Sequence, residues 1–280
     1  MVGSKIAAAL SGAGHHVSVT YLNNKEVGYQ LDVSDENGLE TLIRKLEPDL
    51  IVNAAALPSV DQCDKDEKRA FSVNSEPQRV IAWCAKPKTC IVYISTSNVF
   101  SSGKKPWVEE DTPSPPSVYG RTKLLGEKYT MMHKRHLILR SDQIYGWTVN
   151  GQKKTFVERC LEKLERDELL EVCSDWYNCP TYADDIAFAI ERLFRDGESG
   201  IFHAVGPTYL NRVEWAKKIA LAFDHDPKLV KAIDSSILNL PAKRSNCALD
   251  NGKIVKATGN RFLSVDEGLE MMRSRNIRHP

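Results

Sequence analysis

A short stretch decides the fold: the apolar run Cys90-Ile-Val-Tyr-Ile94, followed by three hydroxyl residues, Ser95-Thr96-Ser97. A β-branched run of this length, bounded by polar residues, is typical of a strand buried on both faces of a parallel sheet. Ligands bind outside the carboxyl ends of such strands, so hydroxyl groups at this end indicate a crevice. The stretch therefore predicts a covered strand with a polar site at its end.

A second pair of residues completes the candidate chemistry. Tyr119 and Lys123 are four residues apart at the start of a segment with helical character, residues 123–134, so their side chains can share one helix face. An isolated tyrosine has a pKa near ~10, and a neighbouring ammonium lowers that pKa towards the working pH. With the Thr96 hydroxyl holding a substrate oxygen, Tyr119 can exchange a proton with a carbonyl group that is reduced to an alcohol.

The Tyr-x-x-x-Lys spacing is a weak signal by itself. The chain has a second match at Tyr21 and Lys25, which we interpret as a strand end and a loop. Tyr119 differs because it follows a strand that ends in hydroxyl residues and because it heads a helix. The alternative, a surface tyrosine beside a solvated lysine, stays open on the sequence alone.

The composition is that of an ordinary globular protein. The chain of 280 residues is 42% hydrophobic, and its formal net charge of +1 gives no electrostatic case for nucleic acid or an anionic membrane as a partner. No apolar stretch approaches the ~20 residues of a membrane helix. Seven cysteines without paired spacing favour free thiols in a reducing compartment, and no recognised metal-ligand spacing is present. We expect a soluble, cytoplasmic protein without a metal.

The order of the expected elements indicates the fold class. Strands are expected at residues 16–21, 29–33, 49–56, 90–94, 136–140, 169–173 and 200–205. Helices are expected at residues 4–10, 36–46, 64–85, 123–134, 153–167 and 211–223 and from 264 onward. A further helix, capped by residues 180–185, is expected to end near 195. This alternation predicts an α/β protein with a Rossmann-like, doubly wound parallel sheet. We expect an NAD(P)-binding domain at 1–148 and, at 149–280, mainly a smaller C-terminal α/β substrate-binding cap that is interleaved with the last sheet elements.

Small and acidic residues near the expected strand ends are candidates for binding a dinucleotide. Such a sheet normally starts with a strand and a glycine-rich turn that seats a pyrophosphate; this chain starts within that element, and we interpret Gly3 as the last glycine of the turn. Asp32 and Val33 end one strand, where a carboxylate can meet an adenine amino group. Asn53-Ala54-Ala55-Ala56 ends the next, where small side chains allow close approach of the backbone. An incidental glycine, a solvated aspartate and a small-residue turn remain the structural alternatives.

A set of motifs follows in order along nearly the whole chain. They are Val52-Asn-Ala-Ala-Ala56 with Val60-Asp61, Ile94-Ser-Thr-Ser-Asn-Val-Phe100, Tyr119-Gly-Arg-Thr-Lys123 with Gly126-Glu127, Arg140, Tyr145-Gly146, Pro180-Thr-Tyr-Ala-Asp-Asp185 and Ser245-Asn-Cys-Ala-Leu-Asp250. Together they resemble the extended short-chain dehydrogenase/reductases, and within these the dTDP-4-dehydrorhamnose reductase group. The combination is far more specific than any one motif.

The resemblance implies NAD(P)H-dependent reduction of a nucleotide-linked 4-keto-6-deoxy sugar in dTDP-rhamnose biosynthesis. By this likeness Thr96 hydrogen-bonds the sugar C4 oxygen, Tyr119 supplies its proton, and Lys123 lowers the pKa of Tyr119 and holds the nicotinamide ribose. The implied cofactor-binding residues are Gly3, Asp32, Val33, Asn53, Ala54, Ala55, Tyr119 and Lys123. The implied substrate-binding residues are Asn98, Val99 and Trp147.

Cofactor choice, partners and rival functions complete the expectations. Lys25 follows a strand that offers no carboxylate for a ribose 2′-hydroxyl, which favours NADP, with NAD as the alternative. Two other functions stay open: a nucleotide-sugar epimerase or dehydratase of the same superfamily, and a non-catalytic NADP-binding regulatory subunit that resembles methionine adenosyltransferase β. The expected partners are a nucleotide-sugar substrate and a second copy of the chain in a homodimer, without nucleic acid or membrane.

Overall fold

Helices and strands alternate along the chain in a computed structural model that describes residues 1–23, 28–103, 105–149 and 152–275. The helices are α1 (Val2–Gly12), α2 (Glu36–Leu46), α3 (Val60–Lys65), α4 (Glu67–Asn74), α5 (Glu76–Cys84), α6 (Val118–Met131), α7 (Phe156–Leu164), α8 (Ala183–Arg195), α9 (Arg212–Ala222), α10 (Gly252–Thr258) and α11 (Val265–Ser274). The strands are β1 (Thr20–Tyr21), β2 (Tyr29–Gln30), β3 (Leu50–Asn53), β4 (Cys90–Thr96), β5 (His136–Ser141), β6 (Ile144–Tyr145), β7 (Leu170–Cys173), β8 (Tyr177–Asn178), β9 (Thr181–Tyr182), β10 (Gly200–His203), β11 (Leu210–Asn211) and β12 (Val230–Ile233). Short 3₁₀ turns lie at Ser97–Val99, Pro227–Leu229 and Ser235–Leu238. Within the ranges described, no helix is long and apolar enough to cross a membrane.

Four parallel strands form the central sheet, in the order β10–β5–β4–β3. Their register aligns the carboxyl ends: Thr96 of β4 lies opposite Ser141 of β5, and Asn53 of β3 lies opposite Tyr93 of β4. The apolar residues 90–93 of β4 are buried and Ile94 is partly buried, as expected for a strand that is covered on both faces. Because β4 continues two residues beyond the predicted run, the first two hydroxyl residues belong to the strand itself.

Helices cover both faces of this sheet. On one face, Val92 and Leu139 pack with Ile6 of α1 and Ile190 of α8. On the other face, Ile91 packs with the apolar sides of α2 and α5. Burial of one such side chain stabilises a fold by about 1.5–3 kcal/mol, so both layers are held by the alternating side chains of the strands. The arrangement confirms the predicted Rossmann-like, doubly wound α/β fold.

The second half of the chain adds short two-stranded ladders and a second apolar core. β7 pairs in parallel with β12, β6 pairs in parallel with β9, and β8 is antiparallel to β11. The core includes the buried side chains of Tyr145, Leu164 and Trp215. β10 joins the central sheet beside β5 although it belongs to the 149–280 half. The domain boundary after residue 148 stays a prediction.

Several predicted elements differ from the structure. The single helical stretch at 64–85 is divided into α3, α4 and α5, because Asp66 caps the start of α4 and Pro77 lies in the first turn of α5. The strands predicted at 16–21 and 29–33 are reduced to β1 and β2, which pair in parallel with each other. Strand residues need a hydrogen-bonded neighbour, and among the described residues no third strand joins this ladder.

Candidate active site

The first turn of α6 is held against the end of β4. Ser117 caps the helix by accepting a hydrogen bond from the N–H of Gly120, so Tyr119 lies in the first turn. A Cβ atom at position 120 would overlap the carbonyl oxygen of Asn98, so a side chain there would push the helix away. The glycine therefore lets Tyr119 approach Thr96 at the strand end.

The structure brings Thr96 and Tyr119 together. Thr96 Oγ1 accepts from the backbone N–H of Asn98 (3.2 Å) and from its Nδ2 (3.1 Å). Burial raises the pKa of Tyr119 to about 12, while the nearby hydroxyl of Thr96 acts in the opposite direction. A neutral phenol at the end of a strand is suited to give a proton to a substrate oxygen.

Lys123 lies one helical turn after Tyr119, with its side chain buried. Its Nζ atom is 3.9 Å from the ring centroid of Tyr93. Burial lowers the pKa of Lys123 to about 7, and the carboxylate of Glu127 acts in the opposite direction. The expected lowering of the Tyr119 pKa is not seen; that pKa is raised instead, chiefly because burial desolvates the phenol.

A buried ion pair lies behind the site. Arg140 donates from Nε to Oε1 of Glu127 (3.0 Å) and from Nη2 to Oε2 (2.8 Å), and both side chains are almost fully buried. Ser95 also donates to Glu127, at 2.6 Å. These bonds join α6 to β4 and β5 and so hold the helix that carries Tyr119 and Lys123. The sequence marks Glu127 and Arg140 as motif residues but assigns them no role.

A second polar cluster borders the site, and the sequence prediction missed it. Asp142 directly follows β5, accepts a hydrogen bond from the N–H of Cys179 (2.8 Å) and another from the side chain of Asn178 (3.3 Å), and the hydroxyl of Ser97 lies near enough to lower its pKa. Burial raises the pKa of Asp142 to about 6. Arg212 extends the cluster by donating to Asn178 at 3.4 Å. The signal in the sequence is an aspartate at a strand end, within a segment that the pattern assigns to a loop.

The residues predicted to hold a dinucleotide backbone lie around the start of α1. A Cβ atom at Gly3 would be 3.5 Å from Cβ of Ala54, so the helix and the end of β3 are close together. Among the residues that the structure describes, no side chain caps α1, which leaves N–H groups at its start for an anion. Asn53 accepts from the N–H of Ala55 (3.1 Å) and donates to Gln78 (3.2 Å), which holds the turn after β3. Small residues beside an uncapped helix start fit the pyrophosphate of NADP(H).

Asp32 and Val33 lie after β2. Asp32 accepts hydrogen bonds from the hydroxyl (2.6 Å) and the N–H (2.9 Å) of Ser34, and pairs with Arg69 at 3.4 Å; chiefly the Ser34 bonds lower the pKa of Asp32. The carboxylate is therefore ionised and already hydrogen-bonded, and its contact with adenine stays a prediction. Val33 is partly buried. Lys25, on which the preference for NADP rests, lies outside the described residues.

The substrate-side candidates lie in different surroundings. Asn98 contacts the Thr96 hydroxyl directly. The side chain of Val99 is fully buried in an apolar cluster beneath the turn, and its contact with a substrate stays a prediction. Trp147 donates from Nε1 to the carbonyl oxygen of Met272 (2.7 Å) and packs on the second core, and its role stays a prediction.

A cavity of about 340 Å³ lies in the second half, and its lining includes Trp176, Arg244 and Asn246. Arg244 forms an ion pair with Asp61 at the start of α3, and the N–H of Asn246 donates to the hydroxyl of Ser102 (3.0 Å). α3 follows β3, and residue 102 follows β4. The cavity is therefore attached to loops at the same sheet edge as the hydroxyl pair.

Comparison with known proteins gives a consistent picture. The family described as the RmlD substrate binding domain matches residues 1–276. The dTDP-4-dehydrorhamnose reductase of Salmonella typhimurium is 32% identical over 259 residues, which cover 87% of this chain and 83% of that protein. The similarity in sequence thus extends over both halves of the chain.

Solved structures agree with this result. A hypothetical dTDP-4-dehydrorhamnose reductase from Sulfolobus tokodaii superposes with a TM-score of 0.83 at 32% identity, covering 95% of this chain and 94% of that one. The dTDP-4-dehydrorhamnose reductase of Bacillus anthracis, solved in complex with NADP, superposes with a TM-score of 0.81 at 25% identity, covering 88% and 87%. The chain is therefore similar to these proteins in fold along most of its length.

Proposed function

The chain belongs to the family of the RmlD substrate binding domain, and we propose that it is an NADP-dependent oxidoreductase that reduces a dTDP-linked 4-keto-6-deoxy sugar in dTDP-rhamnose biosynthesis. The observation that carries the proposal is the placement of Tyr119, in the first turn of α6, beside Thr96 at the carboxyl end of β4, with Lys123 one helical turn further along. Its relatives of about 30% identity over most of the chain are named dTDP-4-dehydrorhamnose reductases, which supports this substrate class.

The chemistry follows from the positions of these three side chains. The hydroxyl of Thr96 holds the C4 oxygen of the sugar, and Tyr119 donates its proton to that oxygen as the carbonyl becomes an alcohol. NADPH, when bound, supplies the hydride that the carbonyl carbon receives; NADH is the alternative donor. The ammonium of Lys123 stabilises the phenolate left on Tyr119 and hydrogen-bonds the nicotinamide ribose.

The cofactor would be held by residues at the start of the sheet. Gly3, with the uncapped start of α1, would take the pyrophosphate, and Asn53, Ala54 and Ala55 would line its path after β3. Asp32 and Val33 would meet the adenosine end. The 1–148 segment therefore carries the cofactor in this proposal, and the 149–280 segment carries mainly the sugar nucleotide.

The cavity beside Trp176 is the place proposed for the nucleotide part of the substrate. An indole face, the cations of Lys243 and Arg244 and the amide of Asn246 suit a pyrimidine base and a diphosphate. Asn98, next to Thr96, and Trp147 would contact the sugar. A cytoplasmic location and a homodimer remain predictions.

The experiment is NADPH oxidation with dTDP-4-dehydrorhamnose, followed by absorbance, for the native chain and for Tyr119→Phe. We expect kcat to fall at least ~100-fold in the variant, since positioned acid catalysis contributes about 10²–10⁴-fold. Tyr129→Phe is the matched control, because Tyr129 lies on the same helix but its hydroxyl donates to Glu76 (3.5 Å). Equal loss in both variants, or full activity in Tyr119→Phe, would contradict the assignment.

The same experiment separates the rival functions. Conversion of a nucleotide sugar without consumption of NADPH would support an epimerase or a dehydratase. Binding of NADPH without turnover of any 4-keto sugar would support the regulatory-subunit interpretation.

A further inference from the structure

Tyr93 lies in the middle of β4, directly beneath the side chain of Lys123. Both side chains are buried, and the lysine Nζ atom is 3.9 Å from the centre of the ring. Within the part of the chain that the structure describes, this ammonium has no hydrogen-bonded or ion-paired partner. A cation at this distance from an aromatic face is attracted by the negative charge of the π-face, and more strongly when both groups are shielded from water.

The ring is held in this position from two sides. Its hydroxyl donates a 2.5 Å hydrogen bond to the carbonyl oxygen of Asn74, the last residue of α4. On the other side α6 passes with Gly126 against the ring: a Cβ atom there would overlap the hydroxyl and would lie 2.7 Å from Cζ. A glycine inside a helix is less favourable than alanine. This one permits the close packing of helix and strand at which Lys123 reaches the ring.

The surroundings keep the phenol of Tyr93 neutral and only partly balance the charge of Lys123. Burial raises the pKa of Tyr93 well above its ordinary value, so the phenol stays protonated and its π-face stays available. The ionisable groups around the ammonium are Glu127, on the same helix, and Cys63, on α3; Tyr93 is in turn influenced by Tyr119. The negative charge of Glu127 is already shared with Arg140 and so is only partly available to the lysine.

We infer that the ring of Tyr93 is a positioning group for Lys123, whose ammonium it holds at the floor of the active site in place of a hydrogen-bond acceptor. The ring leaves the N–H groups of the lysine free for the tyrosine and ribose oxygens that it serves. This inference rests on the proposed function in that the reaction uses Lys123, but the contact itself is measurable without cofactor or substrate.

The test is the pKa of Lys123 in the cofactor-free protein, measured by NMR titration with ¹³C-labelled lysine and assigned with Lys123→Met. Tyr93→Phe keeps the ring and removes the bond to Asn74. Replacement of Tyr93 by 4-fluoro-, 3,5-difluoro- and pentafluorophenylalanine keeps the ring shape and progressively removes the negative charge of its face. We expect the native pKa to be retained in Tyr93→Phe and to fall stepwise, by about one unit in total, across the fluorinated series.

Tyr93→Leu removes the ring altogether and should lower the pKa by a similar amount. A pKa that stays constant across the fluorinated series would overturn the inference, and so would a rise in Tyr93→Leu, which would show that water serves the ammonium better than the ring does. If the leucine variant does not fold, the shape-preserving series still decides. The same fluorinated residues at position 129 are the control and should leave the Lys123 titration unchanged.

Activity gives an independent readout. In the fluorinated series, the alkaline limb of kcat/KM that reports loss of the Lys123 proton should move to lower pH by the same amount as the NMR titration. A shifted titration in a chain that never reduces a 4-keto sugar would leave the contact standing and remove the proposed function. Turnover of the sugar with an unshifted Lys123 titration would overturn the contact and leave the proposed function standing.

Discussion

The buried pair of Glu127 and Arg140 provides the sharpest test of how α6, the helix that carries Tyr119 and Lys123, is held. The carboxylate accepts two hydrogen bonds from the guanidinium, at 3.0 and 2.8 Å, and the two side chains are 0% and 2% exposed. Glu127→Gln keeps the shape of the side chain but leaves the charge of Arg140 without a counter-ion. Removal of one partner of such a pair costs about 3–5 kcal/mol, because the remaining charge is buried and uncompensated. In a chain of this size the cost corresponds to a fall in Tm of roughly 6–20 °C.

The assay is urea unfolding, followed by circular dichroism, on four chains: native, Glu127→Gln, Arg140→Met and the double variant. Since replacement of both charges by neutral groups is often close to neutral, the double variant should recover at least about 2 kcal/mol of the loss in Glu127→Gln. Glu40→Gln is the matched surface control. The pair of Glu40 with Arg44 has the same 2.8 Å distance, but its side chains are 42% and 59% exposed, so the loss should stay below about 1 kcal/mol.

Two outcomes would refute this reasoning. One is a cost for Glu127→Gln no larger than that for Glu40→Gln, which would mean that water or a rearranged Ser95 compensates the arginine. The other is a double variant in which the two single losses simply add, which would mean that the two charges do not depend on each other.

Three further predictions concern packing, charge and substrate. Gly126→Ala should destabilise the chain by about 1–3 kcal/mol through overlap with the Tyr93 hydroxyl, whereas Gly12→Ala, at the end of α1 with open space around it, should be neutral or stabilising in the same urea assay. Burial lowers the pKa of Lys123 from 10.5 to about 7, so the unfolded chain holds this proton more tightly than the folded chain does. The free energy of unfolding of the native chain should therefore rise with pH relative to that of Lys123→Met, by about 2 kcal/mol from pH 7 to pH 9. A difference that stays constant with pH would contradict the lowered pKa. Arg244→Gln should raise KM for the dTDP sugar about 10-fold or more while kcat changes less than about 3-fold, and an effect on kcat alone would place the nucleotide elsewhere.

The parts of the molecule that the sequence predicted well are those governed by local patterns. The run at residues 90–94 has to be covered on both sides because it is apolar on both sides, which requires helices above and below the strand. Tyr119 and Lys123 share a helix because their spacing is one turn, and Ser117 starts that helix through its own side chain. These features need only a few neighbouring residues.

The features that the sequence did not reveal depend on contacts between distant segments of the chain. The surroundings of Val99 are one example, because its side chain is buried in a cluster with Cys179 and Leu249, which come much later in the chain. Asp142 becomes a buried acid only because the segment around Cys179, 37 residues later, supplies its hydrogen-bond donor. The helix predicted at 64–85 is divided by caps whose strength a periodic pattern does not reveal.

The sequence by itself determined the layered α/β fold and the placement of Tyr119 and Lys123 on one helix, and it predicted that Thr96 joins them in one site, because hydrophobic period and helical spacing are properties of short segments. Only the tertiary structure decided the charge states of that site. Desolvation depends on everything packed around a group, so folding raises the pKa of Tyr119, lowers that of Lys123 and places the ammonium on the ring of Tyr93, 30 residues away in the chain. Burial by distant segments is therefore what sets the acid–base properties of residues that local spacing had brought together.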